Sequence, residues 1–266
     1  PGGSGVTAVN VVDLESYLLG VVPHEIGAGR PPEEVEAVKA QAIAARTYAV
    51  RHMGRRESQG FDFFASVMDQ VYGGVAADDP VAARAVRETR GEILTYNGEP
   101  IEAYYHSTCG GSTAALEEVW PGEPRPYLRA VSDARPGGGH YCETSNRFRW
   151  TESWTHGELL ATLGRGLSAH TGRSVDVTEV RSMAVTGRTP SGRAEALRIE
   201  TDAGTFRIRA DSIRWVLRPE PNRLLNSALI RVETEGGAEV TAATVEGGGW
   251  GHGIGMCQVG ALGRAR

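Results

Sequence analysis

Apolar residues recur every three or four positions in two stretches near the start of the chain. Leu14, Tyr17, Leu18 and Val21 share one helical face behind Asp13, which predicts a helix capped by Asp13 and stopped by Pro23. Val35, Val38, Ala42, Ala45 and Ala49 predict a second helix, opened by Pro31 and Pro32 and packed closely through its small side chains. Lys39, Ile43 and Arg46 form a different stripe, so Lys39 and Arg46 can reach the same place. Glu25 lies in the short break between the two patterns, beside Val21, Val22, Pro23 and Ile26. A carboxyl group in apolar surroundings loses hydration, which raises its pKa and suits it to act as a general acid near neutral pH. The plainer alternative is one exposed loop glutamate among 33 acidic residues.

Further along, Asp79-Pro80 opens a helix through Val86 that ends near Gly91. Residues 92–96 and 100–106 then flank Asn97-Gly98, the strongest short hairpin signal in the chain. A second region begins near Phe148. Thr155 and Glu158 form a capping box for a helix to Leu163. Alternating patterns predict strands over 175–185, 196–201, 205–208, 229–233 and 239–246, with a short helix capped by Asp211. The connections look like hairpins. The fold class is therefore α+β: mostly antiparallel sheets and hairpins with several packed helices.

Composition narrows the functions. With 40% hydrophobic and 23% charged residues over 266 positions, the chain suits a folded domain with a large core. No run of eighteen apolar residues offers a membrane span, and a net charge of −5 argues against nucleic acid as partner. The chain begins at Pro1 rather than Met, which leaves room for a leader or anchor absent from it. Three cysteines, Cys109, Cys142 and Cys257, are too few for a disulfide scaffold.

Two further constellations could carry chemistry. The stretch from Gly247 to Gln258 alternates glycine with Trp250, His252 and Ile254. It fits no dinucleotide fingerprint; it suits a backbone that runs close to a ligand or to another segment. Trp250 and His252 are then either offered at a groove, where the indole would stack on a sugar, or part of a tight structural crossing. His106 with Cys109, and His140 with Cys142, give two close pairs of soft or borderline donors. They suit a structural zinc ion, with a Cys109–Cys142 disulfide as the alternative. No Ser-His-Asp order, no nucleophile elbow and no H-E-x-x-H motif is present.

Seven blocks occur together in one order: Ser16-Tyr17-Leu18 with Val21 to Glu25, Ala37 to Tyr48, Gln70 to Gly74, Ser107 to Thr113, Val119-Trp120, Pro126 to Val131, and Gly249 to Gln258. In this the chain resembles the SpoIID/LytB family over almost its whole length. That family includes a lytic transglycosylase of sporulation, which cuts peptide-free peptidoglycan glycan strands, and proteins described as amidase enhancers. The resemblance implies one SpoIID-like domain over 1–266 with a catalytic groove. Its sub-lobes would be 1–147 with Glu25, a β-rich 148–246, and a glycine-rich tail 247–266 returning to the groove.

The resemblance also implies that Glu25 is the catalytic acid/base and that Arg46, Tyr127 and Arg129 have active-site roles; Trp250 and His252, from the groove reading of their stretch, are further substrate-binding candidates. It implies cleavage between N-acetylmuramic acid and N-acetylglucosamine to leave 1,6-anhydro ends, with no cofactor needed for the chemistry. The alternative within the family is a non-catalytic peptidoglycan-binding amidase enhancer, which adds an amidase to the expected partners. Some members hold zinc through a His/Cys set, which here would be His106, Cys109 and Cys142. The expected location is extracytoplasmic: cell envelope, periplasm or secreted. The chain departs from the family pattern at His24, where a serine is usual, in the longer loop after Glu25, at Arg129 in place of lysine, and at Cys257 in place of serine.

Overall fold

The computed structural model describes residues 7–74 and 79–266. The chain divides into two compact units, Pro1–Tyr104 with Arg264–Arg266, and Tyr105–Gly263.

The first unit is built on helices. α1 spans Leu14–Ile26, and Asp13 caps it by accepting the Ser16 N–H at 3.1 Å. The expected stop at Pro23 does not occur. Proline has no N–H to give the carbonyl of Leu19, a local cost of about 3 kcal/mol inside a helix. Burial of Val21, Val22, Pro23 and Ile26 on the same segment outweighs it, and the helix ends instead at Gly27 with φ 92°. A 3₁₀ turn at Pro32–Glu34 leads into α2, Val35–His52. The predicted stripe of α2 is buried, from Val35 through Val38, Ala42 and Ala45 to Ala49. α3, Pro80–Glu88, is capped by Asp79, which accepts the Ala82 N–H at 2.9 Å.

Arg46 joins these three helices. It is 1% exposed, and its guanidinium grips Glu15 of α1 through two bonds, Nε to Oε1 at 2.9 Å and Nη2 to Oε2 at 2.8 Å. Its other N–H groups reach the Thr89 hydroxyl and the carbonyls of Val86 and Glu92. Lys39 and Arg46 do converge on the end of α3, but Lys39 goes to Glu88 at the surface while Arg46 is sunk behind it.

The Asn97-Gly98 turn forms as predicted, both residues at positive φ, between β1 (Thr95–Tyr96) and β2 (Glu99–Pro100). The strands are far shorter than the pattern suggests. The Leu94 N–H is taken by the Thr47 hydroxyl at 2.9 Å, so α2 intercepts the strand before it can lengthen.

In the second unit, β3 (Tyr105–His106) is followed by the short α4 (Leu116–Val119) and β4 (Trp150–Thr155). α5 runs over His156–Thr171, past the expected end at Leu163, and closes at Gly172 with φ 69°. β5 (Val180–Arg188), β6 (Ala194–Thr201) and β7 (Gly204–Arg209) form one antiparallel sheet. After α6 (Ser212–Val216) come β8 (Ile230–Gly236) and β9 (Val240–Gly247), which pair with β4 in the order β4-β9-β8. Leu159, Leu163 and Leu167 lie along one face of α5 and are fully buried with residues of both sheets. At Gly166 an added Cβ would lie 2.2 Å from the Val216 carbonyl oxygen, so glycine lets α5 and α6 touch there. β10 (Met256–Cys257) pairs parallel with β3 and leads into α7 (Gln258–Ala265). Arg266, which belongs to the first unit, binds Glu34 there. The α+β class is as expected. Among the described residues no helix is long and apolar enough to cross a membrane.

Removing one partner of a buried, hydrogen-bonded ion pair leaves the other uncompensated. Arg46→Leu should therefore destabilise the first unit by about 3 kcal/mol, seen as a lowered urea midpoint. Glu15→Gln should cost less, because Glu15 keeps 23% of its side chain in solvent. Equal midpoints for Arg46→Leu and the unmutated protein would show that the cross-link carries no stability.

Candidate active site

Glu25 sits in the last turn of α1, one helical face with Tyr17 and Val21 at spacings of four. Residues 70–74 cross this face. The Val71 N–H donates to Glu25 Oε1 at 2.6 Å, and the Gly73 N–H to the Gly20 carbonyl at 3.0 Å. The crossing at Gly20 needs glycine: a Cβ there would lie 2.4 Å from the Tyr72 ring and 2.7 Å from the Gly74 carbonyl oxygen. Gln70 is buried and accepts from the Tyr17 hydroxyl at 3.1 Å while donating to the Ala45 carbonyl. The half-buried carboxylate is thus set by a backbone donor on a segment tied at both ends.

Aromatic rings stand beside it. Tyr17 stacks on Tyr72 at 5.3 Å and on Phe63 at 5.6 Å. Burial, then the nearby carboxylates of Asp69 and Glu25, raise the Tyr17 pKa well above its ordinary value, so its hydroxyl stays protonated. Tyr17 and Tyr72, with Val9, Met53 and Phe61, also line a cavity of about 490 Å³ whose wall does not include Glu25. His24 is exposed and turns its Nδ1 back to the Gly20 carbonyl at 2.9 Å.

The structure does not give Arg46 the expected substrate role. All five of its N–H groups are engaged by protein groups inside the first unit, and none is left for a sugar. The Lys39 ammonium is likewise occupied, by Glu36 and Glu88.

The remaining expected residues belong to the second unit. Arg129 is exposed and pairs with Glu117 at 3.0 Å. Tyr127 is half-buried beside it in sequence. Trp250 is 48% exposed, with the Arg147 guanidinium 5.4 Å from its ring centroid, while its backbone exchanges both hydrogen bonds with Thr108. His252 is pinned: Nδ1 accepts the Ile254 N–H at 3.0 Å, which leaves Nε2 to donate to the Tyr105 carbonyl at 3.0 Å. Its ring lies 4.8 Å from Trp120. Burial lowers the His252 pKa to about 4; Asp211 opposes the shift, and Arg214 and Arg193 add to it.

The expected metal set comes together only in part. Cys109 and Cys142 meet, with their sulfur atoms 3.6 Å apart, and all three cysteines are free thiols. The groups that complete the cluster are Cys257 and Asp133, all four ligand atoms lying within 4.8 Å of one another. His106 is not among them. It is buried in β3, its Nδ1 faces the Ile254 carbonyl at 3.1 Å, and its ring packs edge-on to His252. His140 rests against Phe148 instead. The contact with Cys109, then burial, push the Cys142 pKa up to about 12, against the opposing pull of Cys257.

Four participants escape the sequence reading. Tyr17 was legible in its spacing with Glu25. Cys257 carried a signal too, since an odd third cysteine among so few invites a common site. Asp133 and the Val71 N–H carried none, because only the folded chain brings them to their partners.

Residues 2–96 match the family model described as Stage II sporulation protein, and residues 136–255 match a domain of unknown function, DUF8618. An uncharacterized protein of Brachyspira hyodysenteriae is 34% identical over all of this chain and 65% of its own length. The amidase enhancer of Bacillus subtilis is 29% identical over 93% of this chain and 37% of its own length. The stage II sporulation protein D of Bacillus subtilis is 31% identical over 96% of this chain and 69% of its own length. The chain thus spans less than two thirds of the first two.

The pinned histidine sets a pH dependence. An unfolded histidine titrates near 6.5 while folded His252 titrates near 4, so folding favours its neutral form. That contribution is present above pH 6.5 and is lost as the pH falls toward 4; His106, lowered mainly by its burial, acts in the same direction. Because His252 keeps some contact with solvent, about 1–2 kcal/mol is expected from it over that window. His252→Gln should flatten the fall in unfolding midpoint between pH 6.5 and 4. An unchanged slope would mean that His252 is not held neutral.

Proposed function

We propose that this chain, which belongs to the SpoIID/LytB family, is a lytic transglycosylase of peptidoglycan with Glu25 as its acid/base. The observation that carries the reading is the placement of Glu25: a half-buried carboxylate at a helix end, fixed by the Val71 N–H at 2.6 Å, on the helix face that also carries Tyr17.

One carboxyl group suffices for the chemistry. Protonated Glu25 gives its proton to the glycosidic oxygen between N-acetylmuramic acid and N-acetylglucosamine, and the C1–O bond breaks through an oxocarbenium-like state. The Glu25 carboxylate then takes the proton of the C6 hydroxyl of the same muramic acid while O6 bonds to C1. A 1,6-anhydro end forms, Glu25 regains its proton, and no water is consumed. Ordinary glycosidases use a second carboxylate, as nucleophile or as base for a water. The Tyr17 hydroxyl, kept protonated, holds Gln70 in place near the site, and the aromatic rings suit a sugar face.

In the second unit we assign glycan contacts to Tyr127, Arg129 and the exposed indole of Trp250. His252 holds the backbone that presents Trp250. The substrate places the site of action outside the cytoplasm. The second reading, a non-catalytic partner that stimulates an amidase, is favoured by the relative named amidase enhancer.

Digestion of peptide-stripped peptidoglycan with mass analysis of the products tests both. The wild type should release 1,6-anhydro ends, and Glu25→Gln should lower the rate by about 10²–10⁴-fold with the fold intact by circular dichroism. Equal cleavage by Glu25→Gln would overturn the assignment. Intact glycan with the wild type, together with faster peptide release by an added amidase, would establish the second reading instead.

A further inference from the structure

The strongest unassigned feature lies in the second unit, where Cys109, Asp133, Cys142 and Cys257 come from three separate stretches of chain and meet in the interior. All four are buried, and one donor atom from each lies within 4.8 Å of all the others. Zinc–sulfur bonds of about 2.3 Å in a tetrahedron require sulfurs about 3.8 Å apart, and Cys109 and Cys142 stand at 3.6 Å.

Backbone N–H groups point at two of the sulfurs. Cys109 Sγ faces the Gly111 N–H at 3.4 Å, and Cys257 Sγ faces the N–H groups of Cys109 at 3.2 Å and Gly260 at 3.3 Å. Backbone donors aimed at sulfur stabilise negative charge there, as outer-shell groups do around metal-bound ligands. The Cys142 N–H holds Asp133 through Oδ2 at 2.8 Å. Gly260 leaves the space clear, since a Cβ there would come within 2.6 Å of Asp133 Oδ1 and 3.1 Å of Cys257 Sγ.

A second observation is independent of the cysteines. Arg193 is 2% exposed, bonds to the carbonyls of Cys109 and Ser112, and has no carboxylate in a salt bridge with it among the described residues. Its Nε has no hydrogen-bond partner among the described residues. A buried cation without a counter-charge costs several kcal/mol. A divalent ion held by three thiolates and a carboxylate would carry net negative charge beside it.

We propose that Cys109, Cys142, Cys257 and Asp133 form a closed, structural site for zinc or a like soft divalent ion, with Arg193 as its neighbouring counter-charge and His106 outside the ligand set. Binding replaces the thiol protons with the metal and releases them to solvent. With four protein ligands the ion has no open position for substrate, so its role is to staple the end of the glycine-rich segment to the stretches carrying Cys109 and Cys142.

The test uses the whole chain purified under reducing conditions. Elemental analysis should find about one zinc per chain. Cobalt substituted for it should give the near-ultraviolet charge-transfer bands of thiolate ligation and the visible bands of a tetrahedral ion. The three thiols of the unmutated protein should resist alkylation until a chelator is added, a readout that requires no variant to fold. Asp133→Asn should weaken metal binding at least about 10-fold. Cys257→Ser should weaken it and shrink the cobalt–thiolate bands, while His106→Ala should leave metal content and spectrum unchanged. A zinc-supplemented, reduced protein that is metal-free with freely reactive thiols would overturn the proposal. So would a His106→Ala variant that loses metal while Cys257→Ser keeps it.

Discussion

The first unit depends on one buried cation. Arg46 would cost several kcal/mol inside the protein if any part of it were left unpaired. Its planar fork is met by both oxygens of Glu15, and its remaining N–H groups by the Thr89 hydroxyl and two carbonyls. Saturating that fork fixes α1, α2 and the end of α3 at one point, because a guanidinium offers its donors in a rigid plane. The helix gripped at Glu15 is the one that carries Tyr17, Gly20 and, in its last turn, Glu25. The position of the proposed acid therefore follows from a contact more than two turns away, and residues 70–74 need only close over a surface already set.

Glycine does the comparable work in the second unit by allowing two backbones to meet. A Cβ on Gly249 would lie 2.5 Å from the Thr108 carbonyl oxygen, and one on Gly110 would lie 2.7 Å from the Gly248 carbonyl carbon. Both glycines have positive φ, 85° and 77°. The alternation after Gly247 is thus a crossing between backbones, and the non-glycine positions within it take opposite roles. Trp250 is turned toward solvent, while His252 is locked by both ring nitrogens.

Much of this was legible in the sequence where the signal is local. The caps at Asp13, Asp79 and Thr155, the buried stripe of α2 and the Asn97-Gly98 turn are decided by neighbours a few residues apart. β5 to β9 followed from alternation, with boundaries shifted by at most five residues, while β4 and β10 were not anticipated. What was missed depends on distant partners. The helix-breaking tendency of Pro23 lost to burial that only the packed helices provide. Arg46 reads as an available cation until Glu15, 31 residues earlier, is seen against it. The metal set expected from short spacing included His106, yet the chain brings Cys257 to Cys109 from 148 residues away and turns the histidine toward Ile254.

The parallel pairing of β3 with β10 has a kinetic consequence. The sheets of the second unit join strands that follow closely in sequence, apart from β4 with β9, and can form early. Seating residues 256–257 against 105–106 closes a loop of 150 residues. The entropy of that closure is on the order of 4 kcal/mol, and no contact rewards it until both ends are in place. The slow step in assembling this unit is then the return of its last segment, so the stretch that presents Trp250 takes its final form only after the sheets it leaves have folded.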